Sequence, residues 1–255
     1  MILVIDIGNS NIKIGVYKEE KLMYSCRLQT MLGRTSDEYG IQMRSFFRHR
    51  CAELADVEGV VISSVLPSIN HTFERMCDLY IHGLEPMLVS SKLDLGLNIR
   101  YDYPELLGSD RICNAVEAYV RYGGPVVVVD FGTATTFTVV DGEGNLLGGP
   151  ICPGMQISSD ALAEKAALLY KVEYVRPERI IARNTRDALR AGAIHGFVGQ
   201  VDYIIRHIQQ ELGQSCTIVG TGGMSTMIAN ETDSIDYLEP TLTLDGLYSI
   251  YARNC

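Results

Sequence analysis

One pattern occurs twice in this chain, and it restricts the fold more than any other feature. Val4-Ile5-Asp6-Ile7-Gly8 is followed by the polar triplet Asn9-Ser10-Asn11 and then a β-rich run. From Pro125 the same order returns: Val128-Val129-Asp130-Phe131-Gly132, then Thr133-Ala134-Thr135, then another β-rich run. Placing Asp6 on Asp130, an offset of 124 positions, also aligns Val4 with Val128, Gly8 with Gly132, Val16 with Val140 and Leu22 with Leu146. An apolar run that ends in Asp-x-Gly and turns into a second strand is a hairpin, because glycine and short polar residues supply the tight turn. Repetition over a domain-sized distance implies two similar domains facing each other. The expected division is residues 1–116 and 117–255.

The rest of the chain alternates short β-branched runs with helical patterns, which makes the fold α/β. Strands are expected at 2–7, 11–17, 22–29, 59–65, 86–90, 126–129 and 215–219. Thr35-Ser36-Asp37-Glu38 reads as a capping box opening a helix with Tyr39, Met43, Phe46 and Phe47 on one face. Further helices are expected over 67–82, 105–122, 156–168 and 241–252, with a long one after Asn184-Thr185 that stops at Gly213. Gly192, Gly196 and Gly199 give that long helix a smooth face, suited to close helix packing.

With 47% hydrophobic and 21% charged residues, the composition is that of a globular protein with a substantial core. No apolar run is long enough to span a bilayer, and an acid at the sixth residue argues against a secretory leader. Seven scattered cysteines without a CxxC pair fit reduced thiols in the cytoplasm better than disulfides or zinc. A formal charge of −9 with no basic stripe argues against nucleic acid and points to a small partner.

A nucleotide triphosphate needs backbone N–H groups at glycine turns, a bridging metal ion, and a carboxylate to hold that metal's shell. An Asp-x-Gly turn at the end of a buried strand supplies both parts, and Lys13 adds a fixed charge. Thr221-Gly222-Gly223, at a strand-to-helix junction, lets a ribose or a flat ring lie against backbone. No GxxxxGK[ST] and no strand-linked GxGxxG occurs, which removes the P-loop and Rossmann alternatives. In Gly108-Ser109-Asp110-Arg111, Asp110 is either a general base, with Arg111 binding an acceptor carboxylate, or an acid favoured by the helix N-terminus and paired locally. The tetrapeptide alone favours the second.

Together these segments resemble the type III pantothenate kinases, of the superfamily that also holds acetate and sugar kinases, heat-shock ATPases and actin. The resemblance rests on DIGNSNIK at 6–13, GSDR at 108–111, VVDFGTATTFTVVD at 128–141, GGPICPG at 148–154, NT at 184–185, TGG at 221–223 and LTLDGL at 242–247. It implies two duplicated ribonuclease-H-like (actin-like) domains with mixed sheets flanked by helices. The implied reaction is transfer of the ATP γ-phosphate to pantothenate, the first step of coenzyme A synthesis.

Position by position, the resemblance implies a nucleotide site at Asp6, Ile7, Gly8, Asn9, Ser10, Asn11, Ile12, Lys13 and Thr133, with Asp6 also serving magnesium. Asp130 matches a ligand for a monovalent cation, potassium or ammonium, and Asp110 the general base. Tyr101, Gly108, Ser109, Asp110 and Arg111 match the pantothenate site, joined by Thr185 of the partner subunit in a homodimer. Three positions depart from the pattern: Ser10 stands where Thr is usual, Ser109 where Ala is usual, and Tyr170 where Pro is common. Another kinase or phosphatase of the superfamily, or a non-catalytic regulator on the same fold, are the rival assignments. The GSDR segment argues against the first, and retention of Asp6, Asp110 and Asp130 against the second.

Overall fold

The first repeat forms the hairpin its sequence calls for. In the computed structural model, which describes residues 1–255, β1 (Ile2–Ile7) pairs antiparallel with β2 (Asn11–Lys18), Asp6 opposite Lys13. The chain divides into two compact units, Met1–Val120 with Thr241–Cys255, and Arg121–Pro240. This differs from the expected division at 116/117, because the last helix returns to the first unit. A helical pattern predicts a helix but carries no address for the sheet it covers.

In the first unit the strand order is β3-β2-β1-β4-β5, with β3 at Lys21–Gln29, β4 at Gly59–Ser64 and β5 at Met87–Leu88. Strands β1, β2 and β3 are antiparallel; β4 and β5 join parallel. A further two-residue strand, β6, covers Asn98–Ile99. Side chains alternate across β1. Leu3, Ile5 and Ile7 enter a core with Tyr39, Met43 and Phe47 of α1 (Ser36–His49) and Phe73, Met76 and Cys77 of α2 (Asn70–Tyr80). The capping box is present: Thr35 Oγ1 accepts the Glu38 N–H, and Glu38 accepts the Thr35 N–H at 2.8 Å. Asp6 points the other way, to the face covered by α7 (Leu242–Asn254), where α3 (Ser109–Tyr122) meets β4 through Ser109. There Gly246 of α7 lies where a Cβ would meet the Cys113 carbonyl at 2.0 Å, and the Tyr17 hydroxyl donates to Asp245.

The second unit repeats the plan. Its order is β12-β11-β7-β8-β9, from β7 (Val126–Phe131), β8 (Ala134–Val140), β9 (Asn145–Gly148), β11 (Thr217–Thr221) and β12 (Tyr237–Leu238). Short β10 (Ile151–Pro153) pairs with β8. The antiparallel trio β7, β8, β9 matches β1, β2, β3, and the parallel pair β11, β12 matches β4, β5.

One detail of the alignment changes. The first turn closes with Gly8 N–H donating to Asn11 O, the second with Gly132 N–H donating to Ala134 O. The second hairpin is thus one residue shorter. Leu3 pairs with Val16, and its counterpart Val127 pairs with Val139, so the offset of 124 ends at the turn and Val16 corresponds to Val139, not Val140.

Helices α4 (Met155–Lys165), α5 (Thr185–Leu212) and α6 (Ser225–Ala229) complete this unit. Val201 and Ile205 of α5 and Ile228 of α6 pack on Val127, Val129 and Phe137. The Asn184 side chain caps α5 by accepting the Asp187 N–H at 2.9 Å, and Gly213 at φ 68° ends it. The close packing expected at Gly192, Gly196 and Gly199 does not occur within the chain. Nothing lies within 4 Å of the place a Cβ would take at any of them, because α5 turns its apolar residues, not this face, toward the sheet.

Candidate active site

In the first unit the site grows from the end of β1. Asp6 is 5% exposed, with Lys13 Nζ 3.4 Å from its Oδ2 and the Ser63 hydroxyl donating to its Oδ1 at 3.1 Å. Strand register explains both contacts, since Asp6 pairs with Lys13 on β2 and with Ser63 on β4. The hairpin tip is open: Asn9, Ser10 and Asn11 are exposed and Gly8 half-buried, while the Thr30 hydroxyl braces the Gly8 carbonyl at 2.7 Å. Ile7 and Ile12, expected in the nucleotide site, turn their side chains into the core at 0% exposure. Both residues are wholly enclosed and offer a ligand no exposed surface, because alternation along the strands sends their side chains to the face opposite Asp6.

Gly108 interrupts the helix expected over 105–122, so α3 begins at Ser109. The Asp110 carboxylate folds back over that break. Its Oδ1 accepts the Arg111 N–H at 2.8 Å and would sit 2.5 Å from a Cβ at position 108, so a side chain there would displace the carboxylate from this position. Arg111 is 4% exposed; burial lowers its pKa, opposed by the charge of Asp110 and by the Tyr101 hydroxyl, to which the guanidinium hydrogen-bonds. Tyr101, Asp110 and Arg111 therefore lie together. The Ser109 hydroxyl is turned inward: it accepts the Ser64 N–H at 2.8 Å and lies 3.0 Å from Ser63 Oγ.

Cys113, one turn into α3, is fully buried, and its thiol is pushed well above its ordinary pKa by burial first and then by Asp6 and Asp110. Two carboxylates far apart in sequence thus act on one buried thiol. The Ser63 hydroxyl, 3.1 Å from Asp6 Oδ1 and 3.0 Å from Ser109 Oγ, links the end of β1 to the first turn of α3, where Asp110 stands.

In the second unit Asp130 is the penultimate residue of β7, half-buried, and the Thr221-Gly222-Gly223 turn lies directly on it. A Cβ at Gly222, where φ is +93°, would approach Asp130 Oδ1 to 2.4 Å and Phe131 N to 2.6 Å. The Gly132–Thr133 turn is braced from outside by Gly154, whose N–H donates to Thr133 O at 3.1 Å. Thr133, half-buried, is carried on that turn. Thr185 stands at the exposed first turn of α5. Ser63 is the residue that reading the sequence missed; its signal was a hydroxyl in an otherwise apolar buried strand, GVVISS.

Each unit thus carries the ribonuclease-H-like mixed sheet with a carboxylate at the end of its first strand. Solved structures share this architecture. A Campylobacter jejuni protein assigned to the Baf family of transcriptional activators is 19% identical, with 99% of this chain and 98% of that one covered and a TM-score of 0.64. A Sinorhizobium meliloti protein assigned as a 2-dehydro-3-deoxygalactonokinase is 10% identical, with 98% and 96% covered and a TM-score of 0.59. The polyphosphate/ATP-glucomannokinase of Arthrobacter sp. strain KM is 13% identical, with 98% of each chain covered and a TM-score of 0.50.

Fold and site together define a protein of duplicated actin-like domains, each with a carboxylate on its first strand. The family model for type III pantothenate kinase matches residues 2–207. The chain belongs to that family.

Proposed function

We propose that this protein transfers the γ-phosphoryl group of ATP to the primary hydroxyl of pantothenate, with Asp110 as the general base. The observation that carries this reading is that Ser63 links Asp6 to Ser109, at the turn that carries Asp110 and Arg111. Asp6, Lys13 and the exposed turn Asn9–Asn11 hold the phosphates. Arg111 suits the carboxylate of the acceptor, since a guanidinium matches a carboxylate in fork geometry. Gly108 lets the acceptor approach backbone, and the hydroxyl of Ser109 is committed to β4. Asp110 takes the hydroxyl proton as the acceptor oxygen bonds to phosphorus and the bond to the ADP oxygen breaks. Little covalent chemistry is asked of the protein; alignment and charge neutralisation do most of the catalysis.

Asp6 offers a hard oxygen beside the phosphate turn, which suits magnesium, an ion that takes one or two carboxylates and completes its shell with water and phosphate. When bound, magnesium supplies charge neutralisation between phosphates. Asp130, pressed by the Gly222 turn and with no lysine at its paired positions Thr136 and Thr221, suits potassium or ammonium. Thr133, on the adjacent turn, contacts ATP.

The active unit is a homodimer that completes the acceptor pocket with Thr185 of the partner subunit. Support comes from the open glycine face of α5 and from the apolar side chains of Leu168, Tyr170, Ile180 and Ile181 exposed in the segment before it. No helix is long and apolar enough to cross a membrane, and the seven cysteines are unpaired; the proposed compartment is the cytoplasm.

The test is direct. Purified protein with ATP, magnesium, potassium and pantothenate should yield ADP and 4'-phosphopantothenate by mass spectrometry. Phosphorylation of a different alcohol, with none of pantothenate, would overturn the acceptor assignment.

A further inference from the structure

The buried strand β4 ends in two serines that phosphoryl transfer, as just described, leaves without a part. Ser63 is completely buried, at the register position beside Asp6. Its hydroxyl lies 3.1 Å from Asp6 Oδ1 and 3.0 Å from Ser109 Oγ. Ser109 Oγ in turn meets the Ser64 N–H at 2.8 Å and the Ser64 carbonyl at 3.1 Å.

Each hydroxyl has one proton to donate, so the contacts compete. If Ser63 donates to Asp6, its lone pair is open to the Ser109 proton, and the lone pair of Ser109 takes the Ser64 amide proton. All donors then run in one direction: Ser64 N–H to Ser109, Ser109 to Ser63, Ser63 to the Asp6 carboxylate. Such a chain strengthens each member and is favoured when its last acceptor is ionised. The competing arrangement, with Ser109 donating to the Ser64 carbonyl, removes the donor from Ser63 and breaks the chain.

We propose that Ser63 and Ser109 are positioning residues, whose hydroxyl chain fixes Asp6 of β1 against the first turn of α3, where Asp110 stands. This rests on the reading of Asp6 as the phosphate-side carboxylate and Asp110 as the acceptor-side base. The two groups come from distant parts of the sequence, and phosphoryl transfer is sensitive to small errors in their separation. Ser109, standing where Ala is usual in the resemblance, adds a link from α3 to both serines of β4.

The test measures MgATP binding by titration calorimetry without acceptor, alongside steady-state kinetics, on wild type, Asp6→Ala, Ser63→Ala, Ser109→Ala and the double serine variant. Ser63→Ala should weaken MgATP binding about tenfold, the scale of a lost bond to a charged group, and Ser109→Ala about threefold. The double variant should bind no more weakly than Ser63→Ala alone, because without Ser63 the chain from Ser109 no longer reaches Asp6. Ser63→Thr, which keeps the hydroxyl, should recover most of the affinity, and the KM for pantothenate should stay near wild type in both Ser63 variants. Additive losses in the double variant, or wild-type affinity in Ser63→Ala when Asp6→Ala is weakened, would overturn the chain. Wild-type affinity in Asp6→Ala would overturn the phosphate-side reading of Asp6 itself. If Ser63→Ala fails to fold, Ser109→Ala decides: a threefold loss recovered by Ser109→Thr supports the chain, and no loss overturns it.

Discussion

The two Asp-x-Gly hairpins begin from nearly the same sequence and end with different neighbours. Beside Asp6 the paired strands place Lys13 and Ser63; beside Asp130 they place Thr136 and Thr221. Asp6 is buried with a cation and a hydroxyl on its two oxygens, whereas Asp130 is half-buried under a glycine turn. A lysine next to a carboxylate suits a site for phosphates, because it adds positive charge where the substrate is most negative. The same lysine beside Asp130 would compete with a monovalent cation for the carboxylate. Duplication gave one scaffold twice, and on the proposed reading the residue opposite the Asp in the pair sets what each copy is suited to hold.

The largest effect should come from the group with no counterpart in the second half. Asp110→Asn should lower kcat by about a hundredfold or more with MgATP affinity largely kept, as expected on losing a general base. Near-normal kcat would remove Asp110 from that role. Next in size is Lys13→Ala, which should raise the KM for ATP by about tenfold, while Thr136→Ala at the matched position should raise it little. Equal effects would mean that the two hairpins are used alike.

Gly222→Ala should come third. It puts a Cβ 2.4 Å from Asp130 Oδ1 at a backbone φ of +93°, so a loss of about 1–3 kcal/mol in stability is expected, read as a lower denaturation midpoint. An unchanged midpoint would show that the turn and Asp130 are less tightly packed than described. Thr35→Ala, remote from both carboxylates, should cost about 1 kcal/mol in the same measurement and leave kcat unaltered.

Much of the fold was legible because local chemistry decided it. Alternation fixed both hairpins, Thr35 and Glu38 fixed the start of α1, and Asn184 and Gly213 fixed the ends of α5. Asp110 with Arg111 was legible for the same reason, as neighbours in sequence. What escaped depends on partners distant in the chain. Whether α7 packs on the first or the second sheet is settled by Gly246 against Cys113, and no periodicity encodes that. The missing residue in the second turn escaped because Gly-Asn-Ser and Gly-Thr-Ala have equally turn-prone compositions, and only the strand register exposes the shift. Ser63 read as the end of an apolar strand until β4 was placed beside β1. The smooth face of α5 was legible, but not that it faces open space.

The unequal use of the two hairpins is most directly tested by titrating MgATP into wild type, Asp6→Asn and Asp130→Asn, each in potassium and in sodium. The account predicts that wild type binds more tightly in potassium, that Asp6→Asn binds weakly in both salts, and that Asp130→Asn loses the difference between them. If Asp6→Asn and Asp130→Asn respond identically to the two salts, the two hairpins are equivalent and the account is contradicted.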